Sequence, residues 1–318
     1  MPRWIPYRLR SMWDQLRIHR ALRELEHTAP LPAASGEEAD AEVHVLVCRR
    51  DAWLTVLALK SLLRFEGVRL AVTLTDDGSL GRTQRDRLSR HIPRCRWLPR
   101  YCDQPALAEA LRTRPRLERL YGSEFHMIAK LLHPVLLSRC SRVIQLDADT
   151  AFFREPEQLF GWARGEEPAA YYLHDVPEKE ATVPPEVRSA LGEVAGAMPA
   201  GSGGWSLEYC YFNAGLLLFR PEQCQLDRAE AFLRWRRERG GALREGLPAI
   251  WFGDWTREQT SYLAMFAGMT PPARPLDACY RLAGEPFGVF NHFMRDFLVL
   301  PATLRRLEEL VAELPVNG

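Results

Sequence analysis

Asp147 and Asp149 close an apolar run, Arg142-Val143-Ile144-Gln145-Leu146-Asp147-Ala148-Asp149-Thr150-Ala151. Such a run is a buried strand, and its end is a rigid place from which two short acidic side chains offer hard oxygen ligands. The chemistry this suits is a divalent cation bound to a diphosphate, with room left for phosphate oxygens and water. The spacing alone says little. A chain of this length contains about one such pair by chance, most often in a surface turn. Its setting carries the information.

The elements that position the pair are legible along the chain. Residues 43–48 are β-rich, and 53–65 follow with helical periodicity (Leu54, Leu57, Ala58, Leu62). Residues 70–74 read as a strand ending in Thr75-Asp76-Asp77-Gly78-Ser79; a polar helix over 83–91 and a short strand over 95–98 come next. Ser123 is placed to cap a helix carrying Met127, Ile128, Leu131, Leu132, Val135 and Leu136, which leads into a strand over 143–146. Strands alternating with crossover helices predict an α/β fold with a mostly parallel sheet flanked by helices. Ligands bind beyond the carboxyl ends of such strands. Asp76, Asp77, Asp147 and Asp149 all fall at that edge. Asp76 and Asp77 can accept hydrogen bonds from a base or ribose, or shape a tight turn; both readings stand. Arg49 and Asp51, after the first strand, take another nucleotide-facing position.

The chain divides at its ends. Residues 1–29 read as a basic amphipathic helical arm, with Leu9, Met12, Trp13 and Leu16 at helical spacing among Arg8, Arg10, Arg17 and Arg20. That pattern suits a membrane surface or partner, or a helix packed on the domain's own back. Residues 30–42 read as a solvated linker, 43–300 as the main domain, and 301–318 as a C-terminal helix and tail. With 47% hydrophobic residues and a net charge of +1 across 318 residues, the balance is that of an ordinary globular protein and does not call for nucleic acid. The seven cysteines form no C-x-x-C, which argues against a zinc ribbon or disulfide framework. With no signal peptide and no long apolar stretch, the expected place is the cytoplasm, peripheral to a membrane if the arm docks there.

Several stretches, in order, resemble GT-A fold glycosyltransferases of the glycogenin and lipopolysaccharide galactosyltransferase type. Lys130-Leu131 precedes the Leu146-Asp147-Ala148-Asp149-Thr150 run, as in the family's K-L…Y-L-D-A-D-T arrangement. Tyr211-Phe212-Asn213-Ala214-Gly215 followed by an apolar strand resembles its F-N-[AS]-G; Glu258-Gln259 takes the place of D-Q, and Asn291-His292-Phe293 that of its C-terminal His. The likeness runs over about residues 43 to 297. The Gly and Lys that follow the His in the family are absent, leaving Arg295 as the phosphate-binding substitute, and Glu258 replaces Asp.

The resemblance implies a nucleoside diphosphate sugar as donor, UDP-linked, and Mn²⁺ or Mg²⁺ at Asp147, Asp149 and His292, with Asp147 also reaching the ribose. His292 can instead be a core histidine among Phe290, Phe293 and Phe297. Lys130 is either a cation near the donor's sugar or phosphate, or a snorkelling side chain. Asn213 precedes a glycine and a strand, so its amide can reach the transferred sugar while Gly215 admits close approach. Gly201 to Gly204 read as a loop that could close over the donor. Glu258 and Asp254 are the acid-base candidates; retention is favoured, with inversion open should a carboxylate deprotonate the acceptor. Trp205, Trp235, Trp251 and Trp255 are sugar platforms or core aromatics, Trp205 and Trp255 being the acceptor-facing pair. His126, His133 and His174 lack such context and read as structural or surface residues. The acceptor, whether glycan, glycolipid, protein or natural product, is open. One rival is a sugar nucleotidyltransferase, disfavoured because Cys48-Arg49-Arg50-Asp51-Ala52-Trp53 lacks the glycine-rich loop. Another is a non-catalytic transferase-like domain, disfavoured by the intact acidic pair.

Overall fold

The computed structural model describes residues 7–174, 212–243, 257–283 and 285–316, without the side chains of residues 7–11, 239–243, 295 and 296. Helix α1 (Tyr7–Ala21) and a 3-10 turn (Arg23–His27) precede β1 (Ala41–Val47), α2 (Ala52–Leu63), β2 (Leu70–Asp76), α3 (Arg82–His91) and β3 (Arg96–Leu98). Then come α4 (Pro105–Arg112), α5 (Pro115–Tyr121), α6 (Met127–Leu136), β4 (Val143–Leu146), β5 (Thr150–Phe152), α7 (Glu157–Arg164) and β6 (Tyr171–His174). The rest comprises β7 (Phe212–Phe219), α8 (Leu226–Leu243), α9 (Arg257–Phe266), β8 (Arg274–Pro275), β9 (Tyr280–Leu282), β10 (Phe290–His292), α10 (Met294–Leu298) and α11 (Pro301–Ala312).

Among the described residues the main sheet has the order β3-β2-β1-β4-β7-β6-β8. Strands β3, β2, β1 and β4 run parallel, and β7 is antiparallel to both β4 and β6. Every residue of β2 is buried, as befits a strand covered on both faces. Leu54, Val56, Leu57, Ala58, Leu59 and Leu62 make α2 buried almost all round, which places it inside a layer rather than on the surface. Ile144 and Leu146 join the apolar cluster that includes α2, whereas Val143 joins the one that includes Leu131 and Leu132 of α6. That is the alternation of a strand between two layers.

A second sheet, β5-β10-β9, stands beside the first. Its strands are three residues long and have no periodicity to read. In it β10 pairs antiparallel with β5, setting His292 opposite Thr150.

The segment expected as a solvated linker is instead laid on the body. Just before it, the amino group of Lys60, buried in α2, donates to the carbonyl of Ala29 (2.6 Å); within it, the amides of Leu31, Ala33 and Ala34 donate to the carbonyls of His91 (3.0 Å), Pro93 (2.9 Å) and Leu70 (2.8 Å). What docks here is backbone, whose polar groups must be satisfied, so a composition without periodic apolar residues gave no sign of it. Ser35, Glu37 and Glu38 are solvent-exposed. Ile18, Ala21 and Leu22 at the end of α1 share one cluster with Leu304, Leu307 and Leu310 of α11. Arm, segment and C-terminal helix are thus parts of the same body as the main domain.

Candidate active site

The turn after β4 is fixed from two sides. The Asp147 amide donates to the Gly215 carbonyl on β7 (2.9 Å), the Thr150 hydroxyl donates back to the Asp147 carbonyl (2.8 Å), and the Phe293 amide donates to the Asp149 carbonyl (2.9 Å). His292 Nε2 then lies 3.3 Å from Asp149 Oδ1 and 3.7 Å from Asp147 Oδ2. One ligand atom from each of the three residues falls within 4.8 Å of the others. Cis ligands around an octahedral ion at about 2.1 Å are about 3 Å apart and trans ligands about 4 Å. Two carboxylates and an imidazole therefore fit a divalent cation of the Mn²⁺ kind.

The sequence leaves His292 open between ligand and core residue. Its ring is buried, yet both nitrogens have polar partners. The Asn213 amide oxygen accepts from the Gly215 amide (2.8 Å) and lies 3.1 Å from His292 Nδ1. Because that oxygen can only accept, Nδ1 carries a proton, which turns Nε2 towards the two aspartates. Burial pushes the His292 pKa down, but Asp149 outweighs it and holds the imidazole above its ordinary value. Burial likewise pushes Asp149 up, and His292 overcomes it to hold the carboxyl below the usual range. A side-chain carbon at Gly215 would lie 2.6 Å from His292 Cε1 and 2.9 Å from Asn213 Oδ1, so only glycine fits under this ring.

Lys130 does not snorkel. It is buried on α6, with Nζ 2.7 Å from Asp147 Oδ1 and 3.1 Å from Glu258 Oε1 of α9. The hydroxyl of Tyr262, one turn beyond Glu258, donates to the Lys130 carbonyl (2.7 Å) and ties the two helices together. Burial opposes the ammonium, but Asp147 and then Glu258 more than compensate and hold its pKa above the ordinary lysine range. Burial pushes the Glu258 carboxyl up to about 7, against the pull of Lys130. Lys130 thereby bridges the metal-type cluster to a carboxyl poised near neutrality. Gln259 Oε1 accepts from the Ala214 amide (3.4 Å), bracing β7 against the same helix.

A cavity of about 690 Å³ opens at the tips of β1 and β2. Arg49, Arg50, Trp53, Asp77, Ser79, Gln84, Arg87 and His126 line it, together with Gln15 and His19 from α1. Asp77 and Arg49 lie at the carboxyl edge of the sheet. Asp77 Oδ1 accepts from the Ser79 amide (2.8 Å), whose hydroxyl accepts from the Arg49 amide (2.8 Å). Asp76 is spent on the turn: it is buried, Oδ1 accepts from the Gly78 amide (2.7 Å), and Oδ2 from Arg85. Of the two readings open to it, this geometry is the one in which Asp76 shapes the turn. Gly78, at φ +96°, supplies the left-handed backbone the turn requires.

Trp235 is a core aromatic packed on Phe232. His133 is buried between the hydroxyls of Thr75 (3.1 Å) and Tyr121 (3.3 Å), a structural histidine. Asp254, Gly201 to Gly204, Trp205, Trp251, Trp255 and the side chain of Arg295 lie outside the described residues. Sequence reasoning missed Gln15, His19, Trp53, Gln84, Arg87 and His126 in the cavity. Only their nearness to strand ends, as at Trp53, could have pointed to any of them.

No protein-family model matches the chain, and no curated protein matches it in sequence. Solved structures do. The galactosyltransferase LgtC, in complex with donor and acceptor sugar analogs, aligns with a TM-score of 0.50 at 13% identity, over 87% of this chain and 97% of that one. The bifunctional glycosyltransferase WbbM, in its apo form, aligns with a TM-score of 0.53 at 12% identity, over 87% of this chain and 50% of that one. The chain has the GT-A fold of these glycosyltransferases.

Proposed function

We propose that the protein is a metal-dependent glycosyltransferase that moves a sugar from a UDP-linked donor to an acceptor hydroxyl. The observation that carries this is the convergence of Asp147, Asp149, His292 and Lys130 at the carboxyl edge of a GT-A sheet. A Mn²⁺ or Mg²⁺ ion held by Asp147, Asp149 and His292 would neutralise charge on the leaving diphosphate. Lys130, 2.7 Å from Asp147 Oδ1, adds a positive charge beside the same oxygens. Asn213 orients His292, and the remainder of its amide faces the transferred sugar. Glu258, buried and tethered to Lys130, lies beside that sugar, and configuration is retained. Arg49 and Asp77 take the base and ribose in the cavity at the tips of β1 and β2, where three arginines suit an anionic nucleotide. A membrane-borne acceptor such as a glycolipid fits the exposed apolar side of α1.

A ligand that binds only the folded state raises its melting temperature by mass action. A thermal-shift screen of nucleotide sugars should therefore give a shift with a UDP-sugar that requires Mn²⁺ or Mg²⁺ and disappears in Asp149→Ala. If no nucleotide sugar shifts the wild-type protein in the presence of metal, the proposal fails.

A further inference from the structure

Helix α1 presents three different sides. Ile18 and Ala21, with Leu22 just beyond the helix, are buried against the body. Gln15 and His19 line the cavity at the tips of β1 and β2. Met12, Trp13 and Leu16 continue round the helix from that side and are 63%, 52% and 61% exposed. At 100° per residue these three fall within a sector of about 100°. They are half of the exposed large hydrophobic residues among those described, the others being Tyr101, Leu300 and Val316, scattered over the fold. An isolated exposed apolar residue needs no explanation, but a stripe does.

Arg20 falls within that sector and Arg17 at its edge, and neither forms an ion pair among the described residues. An apolar stripe with an interfacial tryptophan, flanked by unneutralised arginines, complements an anionic bilayer, with the apolar side chains in the acyl boundary and the guanidiniums at the phosphates. A protein partner would need more. A stable interface covers about 800 Å² per partner and about 20 residues a side, which three side chains do not supply. No described helix is long and apolar enough to cross a membrane, so α1 lies on the surface.

We propose that α1 docks the protein on anionic lipid through Met12, Trp13 and Leu16, and thereby holds the mouth of the strand-tip cavity next to the membrane. The docking itself does not depend on the donor reading above. Flotation of the full chain with liposomes, without nucleotide or metal, keeps the two separable. Wild-type protein should float with vesicles of two parts phosphatidylcholine to one part phosphatidylglycerol, stay behind with phosphatidylcholine alone, and be released by raised salt. Met12→Ser/Trp13→Ser/Leu16→Ser should lower partitioning at least ~10-fold with an unchanged melting temperature. Arg17→Glu/Arg20→Glu should lose the preference for anionic vesicles, and it serves as the test if the triple variant fails to fold. Absence of flotation by the wild type, or flotation unchanged in the folded variants, would overturn the proposal. So would a wild-type dimer that the triple variant converts to monomer, since the stripe would then belong to a second copy of the chain.

Discussion

The acidic turn after β4 and the cavity at the tips of β1 and β2 share one edge of one sheet, yet they are built in opposite ways. Around the turn each charge has a fixed partner: Lys130 on Asp147 and Glu258, and His292 on Asp149 and Asn213. The cavity is lined by side chains that are half-buried or exposed, among them Arg49, Asp77, Gln84 and His126. The first arrangement is preorganised, and displacement of any one member disturbs the rest. The second recognises by several modest contacts, each of which can be lost singly. Substitutions should therefore separate the two regions by size and by kind.

The largest effect is expected at Lys130. Lys130→Met leaves Glu258 and Asp147 without their shared counter-charge, and breaking a buried pair costs about 3 kcal/mol of stability or more. Turnover should fall at least ~1,000-fold. In the double variant Lys130→Met/Glu258→Gln the melting temperature should recover while turnover does not, which separates charge burial from chemistry.

Next is Gly215→Ala, whose added methyl meets His292 and Asn213. Disturbed outer-shell contacts cost metal affinity by about 10- to 100-fold. The expected signature is a raised metal concentration for half-maximal activity, with turnover recovering at saturating metal. The cavity should respond more weakly. Asp77→Ala should raise the KM for donor about tenfold or less and leave kcat nearly unchanged, as loss of uniform binding does. A large kcat loss at Asp77 would erase the distinction between the two regions.

The smallest effect joins them. His133, one turn after Lys130 on α6, reaches β2 through Thr75. Burial, then His44 and Arg96, push its pKa down to about 3. A histidine depressed in the folded state lends stability above its unfolded pKa of about 6.5, and that stability is lost as pH falls towards the folded value. Urea midpoints should therefore decline from about pH 6.5 downwards, and His133→Gln should flatten that decline.

The contrast also decides what could be read from sequence. The sheet through β4 was legible because its longer parallel strands are short β-rich stretches and the crossover helices between them have their own period. Asp147 and Asp149 followed, since a strand end is a local property. The setting of His292 is not local. It depends on three-residue strands that pair Thr150 with a residue far along the chain, and only the resemblance to a known family suggested its role. Lys130 looked like a surface lysine or a phosphate contact, because periodicity does not reveal that Glu258 arrives from another helix. Asp76 and Asp77 are adjacent in sequence and opposite in use, one sealed in a turn and one facing the cavity. The alternation of a strand's faces explains that only once the turn geometry is known. Residues 30–42 misled for a related reason, as their docking is made by backbone groups that composition does not register.

The central claim is that Asp147, Asp149 and His292 form one cation site. Its most direct measurement is a Mn²⁺ titration followed by electron paramagnetic resonance, in which free Mn²⁺ signal disappears on binding. Wild-type protein with UDP should bind one equivalent, Asp149→Ala should bind none, and His292→Ala should bind at least ~10-fold more weakly. Equal binding by wild type and Asp149→Ala would contradict the account.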